Sequence, residues 1–239
     1  MNHLIIQNLF DLWEHIGEIT NTLTKTDQYS SVFMQQSDWP KRVFRIIDKK
    51  EVLLDVIEKT KSNELPEGLT IQSPNSLENN DSFQYIMSQK NMAIDIKEVK
   101  PIGENNFIKQ VTTKEDAYSF AATASQSFGY TVDGKVVNAI LQHSSNVRLF
   151  IFQEENTTLG CGMVYFDPRG IAGLHMIGTI PEGRGKGVGK SITERLLKEA
   201  KAQEAEHCVL HASKMGEPIY SKLGFKTFGE IETYRIIKE

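Results

Sequence analysis

Cysteine is scarce. The 239-residue chain has two, Cys161 and Cys208, and neither belongs to a Cys-x-x-Cys pair. That excludes a disulfide scaffold and the usual thiolate zinc sites, and it predicts free, buried thiols in a reducing cytoplasm. Long apolar runs are missing too. The densest, Leu149-Phe150-Ile151-Phe152, is four residues long, against the ~20 needed to cross a bilayer. The segment Met1–Ile6 has neither a basic region nor a small-residue cleavage site, so no export signal is expected. There is little excess charge: 27 Lys/Arg against 31 Asp/Glu gives a net charge of −4. Such a balance exerts no general pull on nucleic acid or anionic lipid, and neither is expected as a partner.

What is present is ordinary globular composition, 39% apolar and 24% charged, enough for one large domain or two small ones. The charge is uneven. Residues 1–105 carry 11 basic and 16 acidic side chains, residues 106–239 carry 16 and 15, so an anionic cofactor suits the second half better. A polar stretch around residues 99–106, with Pro101, Gly103, Asn105 and Asn106, reads as a boundary between a smaller N-terminal α/β domain (1–105) and a second domain (106–239). A loop-like stretch over 73–81 divides the first half. There, periodicity predicts helices over 2–23, 50–61 and 82–88 and strands over 43–47 and 92–96. In the second half it predicts strands over 107–111, 147–153, 159–166, 171–180, 208–211, 225–228 and 233–237. Helices are expected over 113–128, 134–142, 188–202 and 218–223.

Chemistry concentrates in Pro181-Glu182-Gly183-Arg184-Gly185-Lys186-Gly187-Val188-Gly189-Lys190-Ser191, between a strand and a strongly amphipathic helix. A helix amino end offers unpaired N–H groups and a positive dipole, and glycines let phosphate oxygens approach them. Arg184, Lys186 and Lys190 add positive charge. A diphosphate is the natural ligand. The segment is not a P-loop, because the required first glycine is Arg184, and the dinucleotide spacing Gly-x-Gly-x-x-Gly fails as well. His207 and His211 are four apart on a predicted strand, about 13 Å from each other, too far to share an ion, so no metal is expected.

Strand, Pro181, Arg184-x-x-Gly187-x-Gly189, helix, strand, then Tyr220-Ser221-Lys222-Leu223-Gly224-Phe225 resembles the Gcn5-related N-acetyltransferase (GNAT) family over roughly residues 107–238. The first half is only faintly similar to a degenerate second copy. The resemblance implies a mixed, mostly antiparallel twisted α/β sheet flanked by helices, binding acetyl-CoA. Pantetheine would lie along Ile177, Gly178, Thr179 and Ile180, and the pyrophosphate on the amides of Arg184, Gly185, Lys186, Gly187, Val188, Gly189 and Lys190. Ser213 stands where relatives often place a coenzyme-contacting Asn. Tyr220 matches the general acid that protonates the leaving thiolate; a phenol of pKa ~10 holds its proton at neutrality.

The strand glutamate that many relatives use as base is missing, which leaves His175 as candidate base, with Glu182, Glu217 or bulk water as alternatives. Tyr130 and Asp133 fall where relatives bind the acceptor, though loop polarity alone would also explain them. The expectation is direct transfer of an acetyl group to a small-molecule or peptide amine. The rival is a non-catalytic acyl-CoA-binding regulatory module. A nucleotide hydrolase is a third reading. The first half would then complete the acceptor pocket, form a homodimer surface, or do neither.

Overall fold

A computed structural model describes residues 1–72, 77 and 80–238. In chain order its elements are α1 (Asn2–Ile19), β1 (Leu23–Lys25), β2 (Ser30–Val32), β3 (Arg42–Phe44), α2 (Lys50–Lys61), β4 (Gly68–Ile71), β5 (Phe83–Asp95), β6 (Ile108–Gln110), α3 (Lys114–Phe128), α4 (Gly134–His143), β7 (Val147–Glu154), β8 (Thr157–Phe166), β9 (Ile171–Thr179), α5 (Val188–Ala202), β10 (His207–Ala212), α6 (Glu217–Lys222) and β11 (Lys226–Ile236). The strands form one sheet in the order β1-β2-β3-β4-β11-β5-β10-β9-β8-β7-β6. All pairings are antiparallel except β3 with β4 and β10 with β9.

Alternation along the strands divides the core between two faces. On β3, Phe44 joins α1, α3 and α4, whereas its neighbour Val43 joins α2. On β9, Leu174 packs with Ile192, Leu196 and Leu197 of α5. Local signals set the ends of α3: the Thr113 hydroxyl caps it by accepting from Asp116 N at 3.1 Å, and Gly129, at φ 76°, ends it.

The sheet does not pause at the expected boundary near residue 105. β5 comes from the first half, yet it is hydrogen-bonded between β10 and β11 of the second. The helix expected over 82–88 is the first part of this strand. Its apolar residues Phe83, Tyr85, Ile86 and Met87 suit neither period uniquely, and the edge of β11 decides. The two closing strands expected over 225–237 are one strand, β11, with irregularities at Thr227/Gly229 and Thr233/Tyr234. The strand expected over 43–47 stops at Phe44, because Arg45 has φ 51°. β1, β2 and β4, three or four residues each, were not expected; they are too short to show a period. Most of the loop expected over 73–81 lies outside the described residues. Among the described residues, no helix is long and apolar enough to cross a membrane.

Candidate active site

α5 is seated by two glycines on β8. A Cβ on Gly160 would stand 2.4 Å from Val188 Cγ1, and one on Gly162 2.5 Å from Ile192 Cγ2. Their absence lets the helix approach the sheet closely and brings its amino end against the carboxyl end of β9. A 3-10 turn, Pro181–Gly183, leads into it. Gly185 and Gly187 adopt φ 77° and 80°, left-handed backbone that glycine enters without steric cost, and a Cβ on either would meet nothing within 4 Å. Among the described residues, no protein acceptor engages the amides of Gly187, Val188, Gly189 and Lys190. Arg184, Lys186 and Lys190 are exposed around them. Lys186 has Glu154 at 3.5 Å and Lys190 has Glu194 at 3.5 Å. Open space, free amides and positive charge fit a pyrophosphate.

The sheet forks beside this turn. β9 and β10 pair only from Ile171/His207 to Gly173/Val209. Beyond that, β9 continues against β8 to Thr179, and β10 continues against β5 to Ala212. Their facing edges part. β9 bulges here: Gly162 of β8 faces both Met176 and Ile177, and Met176 has φ 51°. Ile177, Gly178, Thr179 and Ile180 thus line the fork on the way to the turn. An extended chain bearing amides can pair with such an edge, and a pantetheine arm is one.

Tyr220 lies on α6, the helix that follows β10. It is 9% exposed, edge-on to Phe225, with Gly216 against its ring. Among the described residues its hydroxyl has no partner. Burial pushes its pKa up to about 12, so the phenol keeps its proton at any physiological pH. Ser213 is exposed at the end of β10, and its Oγ accepts from Gly216 N at 3.2 Å. That leaves its proton to donate.

His175 lies away from solvent under α1. Asn8 donates from Nδ2 to Asp167 Oδ2 at 3.0 Å, so its Oδ1 accepts, at 3.0 Å, from His175 Nε2–H. Burial and the neighbouring His211 pull the His175 pKa down to about 3. A group with that proton affinity is a weak base at neutral pH. His211 stacks on it, and both its ring nitrogens are buried without a partner. Glu217 opens α6, and exposed Glu182 accepts from Gln126 at 3.5 Å. Asp133 caps α4 by accepting from Lys135 N. Tyr130 stacks on Phe128 and packs against the core cluster on the α1 face. Sequence reasoning missed Asn8 and Asp167. The available signal was a polar residue, Asn8, inside the apolar stripe Ile5-Leu9-Leu12-Ile16 of α1.

A fork beside a bulged strand, leading to an amide-lined glycine turn, offers a slot with an anion-accepting end. Residues 95–235 match the family model "Acetyltransferase (GNAT) domain", and the chain belongs to the GNAT acetyltransferase family. That membership implies acyl transfer from acyl-CoA. Two solved structures share the fold over nearly the whole chain. A GCN5-related N-acetyltransferase from Kribbella flavida aligns with TM-score 0.65 and 12% identity, covering 93% of each chain. A GNAT-family acetyltransferase described as putative, from Novosphingobium aromaticivorans, aligns with TM-score 0.63 and 11% identity, covering 98% of this chain and 97% of its own. No curated protein matches the sequence.

Proposed function

We propose that this chain is an N-acetyltransferase, moving the acetyl group of acetyl-CoA directly to a primary amine of a small-molecule or peptide acceptor. The observation that carries this reading is the free amide row at Gly187–Lys190, beside the fork between β9 and β10. Bound there, acetyl-CoA supplies a thioester acyl group that a neutral amine can take, releasing a thiolate.

The protein's part is to bind, orient and move protons. Gly187, Val188, Gly189 and Lys190 offer amides to the pyrophosphate, with Arg184 and Lys186 beside them. Ile177–Ile180 offer backbone along the arm, and Ser213 a hydroxyl. Tyr220 holds a proton at its hydroxyl for the departing sulfur. The amine's proton leaves through water to Glu182, Glu217 or solvent, since His175 is held by Asn8 and binds protons too weakly.

The test is Tyr220→Phe. Coenzyme A affinity by calorimetry should be unchanged, while kcat for acetyl transfer falls by about a hundredfold or more. A wild-type protein that binds coenzyme A yet acetylates no amine would favour a binding module. No binding at all would end the reading.

A further inference from the structure

We propose that Arg42 is an acceptor-binding residue, and that the acceptor is a small amine that also carries a carboxylate, such as an amino acid. This rests on the acetyltransferase reading.

Arg42 belongs to β3, in the half of the chain that carries no coenzyme motif. Its guanidinium lies over the Trp13 ring, 4.6 Å from the centroid. Nη1 donates to Thr70 Oγ1 at 3.0 Å. Nε is buried with no partner, and Nη2 has none among the described residues. Nε and Nη2 share one edge of the guanidinium, the edge that takes a carboxylate with two parallel hydrogen bonds. No carboxylate of the protein's described residues bridges to Arg42. By contrast, Arg45 is engaged by Asp11 and Glu14, and Arg169 by Asp11 and Asp167. A buried donor left unpaired is costly, more so when charged, so an unpaired edge calls for a partner from outside.

The position suits an acceptor. Arg42 lies on the sheet face that carries α1, the face of His175 and His211 at the fork. Polar groups lie on the strands between them: Thr70 of β4 meets the Thr233 hydroxyl of β11 at 3.3 Å, and Gln89 of β5 donates to the backbone carbonyl of His211 at 3.3 Å. On the other side, Arg42 acts electrostatically on Tyr130, which is also within electrostatic reach of Cys161, and the Cys161 thiol donates to Met176 O at the bulge, 3.4 Å away. One cation with one free edge matches a monoanion. A phosphate dianion would need a second cation, and the neighbouring Arg45 is already neutralised.

The experiment presents acetyl-CoA and full-length protein with amino acids, their carboxamides and aminoalkyl phosphates, following thiol release and product mass. The same acids and amides are titrated directly onto the protein by calorimetry. Amino acids should be acetylated, with kcat/KM about a hundredfold above their carboxamides. Arg42→Gln and Arg42→Lys should erase that preference through KM, with coenzyme A affinity as in wild type. The wild-type comparison of acid with amide decides the matter even if a variant misfolds. Equal use of carboxamides, preference for phosphates, or variants that still discriminate would overturn the proposal. So would a protein that binds coenzyme A but neither binds nor acetylates the acids. Failure to bind coenzyme A would remove the acetyltransferase reading instead, and the direct titration would still decide the Arg42 contact.

Discussion

The imidazoles of His175 and His211 stack with centroids 6.4 Å apart and planes 19° from parallel, one on each strand of the fork, just past the last β9–β10 pair. Burial pulls both pKa values down to about 3. In the unfolded chain each would titrate near 6.5. The folded state therefore binds fewer protons between these values. Its stability is complete above about pH 6.5 and is lost as pH falls toward 3, at up to about 1.4 kcal/mol per pH unit for each histidine. Melting temperature measured from pH 7 to pH 4 should fall steeply. His211→Leu should shallow that slope without loss at pH 7, since it removes two orphaned nitrogens from an apolar setting.

β5 lies between β10 and β11, so the second half should not fold alone. A fragment starting at residue 106 leaves an unpaired edge on both strands and uncovers the sheet face under α1. Its amide proton spectrum should be poorly dispersed and the fragment should aggregate. A well-dispersed spectrum would instead establish 106–239 as an independent domain.

The glycines of the turn and of β8 should fail differently. Gly187→Ala meets nothing within 4 Å, so its stability cost is that of a left-handed alanine, about 1–2 kcal/mol. The added methyl group faces the phosphate approach, and coenzyme A affinity should drop. Gly160→Ala puts a methyl group into Val188, so overpacking should cost about 1–3 kcal/mol. It also shifts the amino end of α5. Denaturant melts and calorimetry separate the two effects.

If Tyr220 donates the proton, its raised pKa, about 12, removes the alkaline limb an ordinary phenol would give near pH 10. The kcat of acetyl transfer should stay level from pH 8 to pH 10. The same shift adds stability that is complete below about pH 10 and is lost only above it. A fall in kcat centred below pH 10 would assign the acid to another group.

Much of the candidate site was legible because its backbone pattern is local. The glycine turn and the helix after it follow from residue types within one stretch, whereas the role proposed for Tyr220 comes only with the family resemblance. The helix expected over 113–128 was equally local, and Thr113 and Gly129 set its ends. The misread elements were those whose state depends on a distant edge. Residues 82–88 became strand because β11 lay open to them, and the strands 225–228 and 233–237 merged because β5 runs their full length. The environment of His175 was not legible either, since Asn8 lies 167 residues away in the chain.

The sequence by itself determined the glycine-rich turn, the amphipathic helix behind it and the family. Each depends on backbone conformation and side-chain type within a few residues. Only the tertiary structure decided that both halves share one sheet, that His175 is buried against α1, and that Arg42 lies over Trp13 with no counter-ion among the described residues. Those are matters of strand pairing, desolvation and charge balance between groups far apart in the chain, and no local pattern records them.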